Sequence, residues 1–403
     1  MGDVHEITIQ GFKLAHKKIL FRRKIGEREK KEIEILKRLS HVHMVQLIGT
    51  YTQQKFLGII LHPVAVCDLH TFFEDVEEWS NTLAEWKFSV EASLNSLGSS
   101  SKARLEALNY GFPTKETPYK ASSVYLKIGC LVSAVAYLHD QKIRHKDLKP
   151  SNILLSQDRL WLSDFGSATD FTLLSESATD NERGTPRYFA PEMAQWKACG
   201  RAADMFSLGC VLLEIITLHR TGTLEHIRQN RSADPSFHAN LNNVNTWLNC
   251  PNVKLSPRGN LLQRNLRNML SVDPDHRPTA EELLISLTGN DMKSSYQSKP
   301  SIFGICCRGA LISHKEHQKQ LSAHKQHVRL LQSLLLTSQA EYKKEVSALS
   351  DKISALLQRL GDKEAVNKGQ SIELEQARTN LQHYQVTSFD TIIGCYEKIK
   401  TGE

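Results

Sequence analysis

Three short stretches between residues 145 and 192 decide the fold of this 403-residue chain. The first is HKDLKPSN at 145–152, the second is DFG at 164–166, and the third is APE at 190–192. DFG begins twelve positions after the first stretch ends, and APE begins twenty-four positions after DFG ends. Each tripeptide alone is a weak signal, but three of them in this order and at this spacing form a specific combination.

These stretches resemble the catalytic loop, the metal-binding triplet and the end of the activation segment of eukaryotic protein kinases. The resemblance covers residues 4–287. It implies an α+β, two-lobed protein-kinase-like fold, in which a small lobe of strands with one helix precedes a large helical lobe and ATP lies in the cleft between them. We therefore expect a kinase domain followed by a C-terminal α-helical, coiled-coil-prone tail.

Further sequence features narrow the resemblance. Two sequence features resemble the corresponding segments of serine/threonine kinases rather than those of tyrosine kinases. They are Lys149 and GTPRYF at 184–189. The amino-acid sequences at 36–52 (LKRLSHVHMVQLIGTYT) and at 304–309 (GICCRG) resemble those of kinase-domain proteins of filamentous fungi. None of these features names a substrate.

The resemblance assigns chemical roles to four residues in or near the first two stretches. Asp147 would accept or orient the proton of the substrate hydroxyl, and Lys149 would contact the transferred phosphate. Asn152 and Asp164 would hold Mg²⁺ through hard oxygen ligands. An isolated Asp or Asn is usually a turn or cap residue, but the combined spacing favours the catalytic interpretation.

A lysine and a glutamate in the N-terminal part match the family's ATP-phosphate lysine and its helix partner. LAHK, which ends at Lys17, resembles the V-A-I-K strand. Lys18 is the alternative, since strand alternation lets only one of the two lysines face inward. Glu32, fifteen residues after Lys17, matches the pairing glutamate; the alternative is a surface glutamate.

The nucleotide site implied by the resemblance includes a hinge at LHPVA, residues 61–65. Its residues would contact adenine, ribose or phosphate, with Leu61 as gatekeeper, Asp68 near the ribose and Leu154 beneath the adenine. The implied set is Ala15, Lys17, Leu61, His62, Val64, Asp68 and Leu154. Two further matches are structural: Asp204 would brace the catalytic loop, and Arg277 would pair with Glu192.

Two departures from the family pattern stand near the site. No G-x-G-x-x-G precedes Lys17, and the sixteen residues before it have room for one strand but not for a glycine-rich hairpin. Either the sequence is an incomplete gene product or the small lobe is degraded. Lys146 replaces the arginine of H-R-D, which keeps the charge but loses the bidentate fork.

Hydrophobic periodicity predicts the secondary structure around these motifs. Strands are predicted over 4–9 and 12–20, a helix over 27–39 and a hairpin over 46–62. Further helices are predicted over 68–79, 121–140, 202–217 and, with interruptions, 259–287; a Ser/Gly-rich loop is predicted over 94–102.

The domain prediction has four parts. They are a truncated kinase small lobe (1–62), a large lobe (63–288) with an insertion at about 80–120, a linker (289–313) and a helical tail (314–403). The insertion is interpreted either as a docking element or as a solvated loop.

The tail carries a heptad pattern. Apolar residues with alternating spacings of four and three run from Tyr342 to Leu360. A helix of this kind either associates with another copy or another protein through a coiled coil over 321–360, or it folds back on the first domain. We expect Gly361 to end the helix and a second helix to follow over 371–386.

Composition excludes several classes of protein. The chain has 51 Lys and Arg residues and 44 Asp and Glu residues, which gives a net charge of +7. This charge is too small to indicate a nucleic-acid-binding protein. No signal peptide and no transmembrane segment is expected. The eight cysteines form no CxxC pair and show no zinc spacing, which is typical of reduced thiols in an intracellular protein, cytoplasmic or nuclear. Cys306-Cys307 is either an acylation site or an ordinary linker segment.

These observations predict an ATP- and Mg²⁺-dependent serine/threonine protein kinase that acts on protein hydroxyls. The alternative is a pseudokinase-like scaffold, which would bind partners through the kinase fold and the coiled-coil tail. The absence of the glycine motif favours the scaffold. The presence of Lys17, Asp147, Asn152 and Asp164 favours the enzyme, because a non-catalytic fold has no chemical need for all four.

Overall fold

The structure is a computed structural model, and its described residues fall into two compact units. The sheet unit contains the described residues of Met1–Ile33, Gln46–Val64 and Ala323–Glu403, and the helical unit contains those of Glu34–Val45 and Ala65–Ser322. Within these ranges the structure describes residues 3–9, 11–21, 25–53, 55–87, 89–112, 124–171, 184–197, 199–249, 257–295, 301–307 and 314–364.

The sheet unit is built on four strands: β1 (Asp3–Ile9), β2 (Phe12–Leu20), β3 (Gln46–Gln53) and β4 (Phe56–His62). They form one antiparallel sheet in the order β1-β2-β4-β3. The two predicted strands and the predicted hairpin are thereby confirmed. Helix α1 (Glu27–Arg38), which confirms the predicted helix, begins in the sheet unit and ends in the helical unit.

A long C-terminal helix (His314–Glu364) packs one of its faces against this sheet. Leu331 and Leu335 are 2% and 6% exposed, and they form one buried cluster with sheet residues Leu14, Ile48 and Ile60. The C-terminal helix therefore packs on the sheet unit of the same chain. Folding back on the first domain was one of the two predicted alternatives, the other being a coiled coil with a partner.

Gly49 of β3 allows the helix to approach the sheet closely. A Cβ atom at this position would lie 2.7 Å from Cδ2 of Leu335, inside van der Waals contact. Next to it, the side-chain amide of Gln332 donates to the carbonyl oxygen of Leu47 at 3.3 Å. A glycine in the strand thus admits the leucine of the helix.

The C-terminal helix continues through Gly361 to Glu364, so the predicted break at Gly361 is wrong. An internal glycine costs a helix only about 1 kcal/mol relative to alanine, and Lys363 and Glu364 after it are good helix formers. The second predicted helix, over 371–386, lies outside the described residues. Further along the same helix, Tyr342, Leu349 and Leu356 are exposed.

The helical unit is built mainly from α-helices, with short 3₁₀ turns between them, and from short strands that carry the loops of the site. The helices are α2 (Leu69–Glu85), α3 (Val90–Ser96), α4 (Ser99–Ala107), α5 (Ile128–Asp140), α6 (Pro191–Ala194), α7 (Arg201–Thr221), α8 (Glu225–Arg228), α9 (Val244–Leu248), α10 (Pro257–Met269) and α11 (Ala280–Ser295). The strands are β5 (Cys67–Asp68), β6 (Ile143–Arg144), β7 (Ile153–Leu155), β8 (Leu160–Leu162) and β9 (Thr169–Asp170).

Helix α7 forms the centre of the helical unit and is buried almost all round. Of the described helices, it is the one long and apolar enough to cross a membrane by length and composition. Because 89% of its apolar window is buried inside the protein, it has the character of a core helix.

The predicted Ser/Gly-rich loop over 94–102 is wrong, because α3 runs to Ser96 and α4 begins at Ser99. Tertiary contacts outweigh the weak helix propensity of this serine-rich stretch. The guanidinium of Arg104 donates to both carboxylate oxygens of Asp75 on α2, at 2.6 and 2.8 Å, and the hydroxyl of Ser101 donates to Glu78 at 2.6 Å. Helix α4 is thereby fixed against α2.

Part of the expected linker is built into the helical unit. Helix α11 extends to Ser295, and after a gap in the described residues the segment 301–307 packs into the interior. Ile302, Phe303, Cys306 and Cys307 are each at most 5% exposed.

Candidate active site

Asp147 lies in the loop after β6 and is 8% exposed. Its Oδ1 accepts hydrogen bonds from the amide and the hydroxyl of Thr185, at 2.8 and 3.0 Å. Its Oδ2 lies 2.8 Å from Nζ of Lys149 and accepts a hydrogen bond from Nδ2 of Asn152 at 3.2 Å. The structure therefore brings three of the predicted site residues together around one carboxylate.

Thr185 is the residue of this cluster that the sequence reasoning did not single out. Its hydroxyl accepts a hydrogen bond from Nζ of Lys149 at 2.7 Å while it donates to Asp147. The GTPRYF stretch was used to assign the kinase subclass, and it contained this residue. The contact was not evident because 38 positions separate Thr185 from Asp147.

Asp204 of α7 anchors the loop that contains Asp147 by accepting hydrogen bonds from its backbone. The two carboxylate oxygens of Asp204 accept the backbone amides of His145 and Lys146, at 2.8 and 2.9 Å. Burial alone would raise the pKa of Asp204, but hydrogen bonds from His139 and from the loop outweigh it and hold the pKa below its ordinary value. The prediction that Asp204 braces this loop is confirmed.

Asn152 and Asp164 are linked through Ser163. The backbone carbonyl of Asn152 accepts hydrogen bonds from both the amide and the hydroxyl of Ser163, at 3.0 and 3.1 Å. Asp164 follows with a φ of 59°, in the left-handed region that non-glycine residues rarely adopt. Such a backbone persists only where its surroundings impose it, and it is common at functional sites.

The predicted lysine–glutamate pair is formed within the sheet unit. Nζ of Lys17 lies 2.6 Å from Oε1 of Glu32, and the two side chains are 16% and 5% exposed. Lys18 instead places its ammonium 4.1 Å from the ring centroid of Phe56. Of the two lysines that the sequence left open, Lys17 is the one paired with the helix glutamate.

The predicted nucleotide residues are divided between the two units. In the sheet unit, Ala15 and Leu61 are opposite each other in the β2–β4 register, and His62 and Val64 follow at the end of β4. In the helical unit, Asp68 is opposite Leu154 in the β5–β7 register.

Asp68 also caps helix α2. Its carboxylate accepts the amide of Thr71 at 2.9 Å and the hydroxyl of the same residue at 3.3 Å. Such a cap satisfies backbone donors that the first turn of a helix leaves open. A structural function is thus observed for this residue.

Comparison with known proteins points to one family. A family model for the protein kinase domain matches residues 100–286. The matched range includes Asp147, Asn152 and Asp164, whereas Lys17 and Glu32 lie before it.

Curated relatives agree with this match. The chain is 37% identical over 155 residues to the serine/threonine-protein kinase Nek6 of Oryza sativa subsp. japonica, covering 38% of this chain and 26% of that protein. It is 30% identical over 186 residues to the serine/threonine-protein kinase fused of Drosophila melanogaster, covering 46% and 18%. It is 26% identical over 309 residues to the mitogen-activated protein kinase kinase kinase 2 of Arabidopsis thaliana, covering 73% and 40%. The chain thus spans less than half the length of each of these relatives.

Proposed function

Because the chain contains a eukaryotic serine/threonine protein kinase domain, we propose that it transfers the γ-phosphoryl group of ATP to Ser and Thr hydroxyls of protein substrates. Domains of this family bind ATP and use divalent metal ions. The observation that carries the proposal is the cluster of Asp147, Lys149 and Asn152 in a loop braced by Asp204.

The donor set of the loop fits Mg²⁺ as the metal. The side chains of Asn152 and Asp164 offer amide and carboxylate oxygens, the hard ligands that Mg²⁺ prefers. The bound ion would neutralise charge on the phosphate oxygens.

Asp147 would orient the acceptor hydroxyl and receive its proton. In the transfer, a bond forms between the hydroxyl oxygen and the γ-phosphorus while the bond from that phosphorus to the β-phosphate oxygen breaks, and ADP leaves. Lys149 lies 2.8 Å from the same carboxylate, so its ammonium stands where it can stabilise charge on the transferred group.

Lys17 would contact the ATP phosphates, as its match to the V-A-I-K strand implies. Its ion pair with Glu32 keeps the ammonium in one orientation, and both side chains are largely withdrawn from water. The loss of side-chain entropy on binding a phosphate is reduced when the cation is already held.

The experiment is transfer of labelled phosphate from ATP with Mg²⁺ to the protein itself and to a generic Ser/Thr substrate. We expect transfer by the unaltered chain and none above background by Asp147→Ala or Asp164→Ala. Asp158→Ala is the matched control, because Asp158 is an exposed carboxylate in the turn between β7 and β8.

Unchanged transfer in Asp164→Ala would overturn the assignment of the metal ligand. Absence of transfer by the unaltered chain, together with no rise in melting temperature on adding ATP and Mg²⁺, would overturn the proposed activity.

We also propose that two copies of the chain associate through the part of the C-terminal helix beyond the sheet contact. The support is the heptad spacing that continues past Leu335 and the exposure of Tyr342, Leu349 and Leu356, at 39%, 47% and 56%. Light scattering should give a dimer mass for the unaltered chain and a monomer mass for Leu349→Lys with Leu356→Lys. A monomer in both cases would contradict this.

We propose an intracellular location, cytoplasmic or nuclear, because the described cysteines are free thiols. None of the six cysteines described by the structure forms a disulfide. Fractionation of cells that express the chain would test this.

A further inference from the structure

Four side chains that commonly bind metals meet in the interior of the helical unit, away from the loop of Asp147. They are His43 in the segment after α1, Cys130 in α5, and the adjacent pair Cys306 and Cys307. Their nitrogen and sulfur atoms all lie within 4.8 Å of one another, and the four residues are between 0% and 5% exposed. The kinase reaction described above uses none of them.

Two of the distances between these atoms match the edges of a metal-centred tetrahedron. With Zn–S bonds of about 2.3 Å and Zn–N bonds of about 2.0 Å, tetrahedral ligands lie about 3.8 Å apart for two sulfurs and about 3.5 Å apart for a sulfur and a nitrogen. Sγ of Cys130 is 3.7 Å from Sγ of Cys306, and Nε2 of His43 is 3.5 Å from that same Sγ. Nε2 of His43 is 3.1 Å from Sγ of Cys307, an edge that a small shift of this one side chain would lengthen.

The imidazole of His43 is oriented for coordination. Its Nδ1 lies 2.8 Å from the carbonyl oxygen of Leu160, and since a carbonyl only accepts, Nδ1 carries the proton. In the neutral ring the lone pair is then on Nε2, the atom that faces the cysteines. A backbone carbonyl that orients a ligand histidine in this way is a regular feature of metal sites.

The segment that supplies two of the thiols is held in place by its own contacts. The amide of Gly129 donates to the carbonyl of Ile302 at 2.9 Å, and a Cβ atom at Gly129 would clash with the ring of Phe303. The amide of Gly304 donates to Sγ of Cys130 at 3.0 Å. These contacts bring Cys306 and Cys307 to a defined position against α5.

A buried cation accompanies the cluster. Lys127, 5% exposed, precedes α5 and donates to the carbonyl of Gln157 at 2.7 Å. Burial lowers the pKa of Lys127 from its ordinary value. Three thiolates and one neutral imidazole around a divalent ion carry a net charge of −1, which a nearby ammonium compensates.

We propose that Nε2 of His43 and the sulfurs of Cys130, Cys306 and Cys307 bind one Zn²⁺ ion in a closed structural site. Thiolates and imidazole in a tetrahedral arrangement select zinc over the oxygen-preferring cations. Four protein ligands leave no position for a substrate, so the ion stabilises the fold by tying the segment 301–307 to α5 and to the segment after α1. The burial of both sulfurs also argues against acylation of Cys306 or Cys307.

The site is tested first by the metal content of the full chain, purified under reducing conditions from cells grown with added zinc. Elemental analysis should find about one zinc ion per chain, and Cys306→Ala should reduce this to a small fraction. Cys210→Ala is the matched control, since Cys210 is a buried cysteine of α7 in the same unit, and it should keep its zinc.

A second measurement does not depend on a variant that folds. Cobalt exchanged into the unaltered chain should give the visible absorption of a tetrahedral ion and a near-ultraviolet thiolate-to-cobalt charge-transfer band. A chelator should lower the melting temperature, and added zinc should restore it.

Each contrary result overturns the proposal independently of kinase activity. These results are zinc well below one ion per chain in the unaltered protein, iron in place of zinc, or zinc retained by Cys306→Ala. A Cys130–Cys306 disulfide found by mass spectrometry of the non-reduced protein would also overturn it, because the bonded sulfurs could not both serve as thiolate ligands.

Discussion

The guanidinium of Arg277 donates two hydrogen bonds to the carboxylate of Glu192, at 2.7 and 2.8 Å, across 85 positions of sequence. The pair was predicted from the family pattern and is confirmed. Both side chains are buried, at 0% and 8% exposure, and the same guanidinium also donates to the carbonyls of Ala202, Ser271 and Val272. The end of the APE stretch is thereby fixed against the segment after α10.

We expect that breaking this pair destabilises the helical unit strongly. Glu192→Ala leaves a buried arginine without its counter-charge, which typically costs about 3–5 kcal/mol. Denaturant unfolding measures the loss. The exposed pair Lys30–Glu27, with side chains 54% and 89% exposed, is the control, and Glu27→Ala should change stability by less than about 1 kcal/mol. Equal effects at both pairs would contradict this.

The two neighbouring lysines of β2 should differ in their effect on activity. Lys17→Met removes the ammonium paired with Glu32, so we expect phosphate transfer to fall by about 100-fold or more. Lys18→Met removes the contact with Phe56 but leaves the Lys17–Glu32 pair, so it should leave transfer nearly unchanged. Initial rates with labelled ATP measure both variants, and their melting temperatures show whether they fold. A larger loss in Lys18→Met would exchange the two roles.

Two leucines of the C-terminal helix should differ in their effect on stability. Leu335→Ala empties a buried position against Gly49 and should cost about 2–5 kcal/mol. Leu330→Ala, on the same helix but 50% exposed, should change the free energy of unfolding of the sheet unit by less than about 0.5 kcal/mol. Hydrogen exchange of β3 amides gives a second readout. Unchanged protection in Leu335→Ala would show that the helix does not hold the sheet.

Stability at acid pH should depend on His219. Burial, followed by the charge of Arg220, lowers the pKa of its imidazole from 6.5 to about 4, and the ring stacks on Tyr125 with centroids 4.0 Å apart. The unfolded chain therefore binds more protons between pH 6.5 and about 4, so the contribution of this group to stability falls as pH falls through that window. The loss amounts to about 3 kcal/mol at pH 4.

The variant His219→Gln removes the titrating group, so the stability of the unaltered chain relative to this variant should decline from pH 7 to pH 4. Urea unfolding at several pH values measures this difference. A difference that does not vary with pH would show that His219 titrates normally in the folded protein.

Local pattern was enough to predict much of the fold and of the candidate site. Strands 4–9 and 12–20 and helix 27–39 follow from the period of apolar residues, because that period reflects the backbone geometry of a single element. Two predictions failed for the same reason: the loop over 94–102 and the helix end at Gly361 were both inferred from residue propensity. Propensity is a weak preference, and contacts such as Arg104 with Asp75 override it.

What the sequence by itself determined is the chemistry carried by short motifs, since Asp147, Lys149 and Asn152 are close in sequence and must be close in space. Only the tertiary structure decided which residues meet across long separations. His43 and Cys307 are 264 positions apart, and no spacing rule connects them. Likewise, the heptad pattern predicted an apolar face on the C-terminal helix but not what covers it, because apolar burial is not directional and any apolar partner satisfies it. The sheet that covers Leu331 and Leu335 is a property of the folded chain.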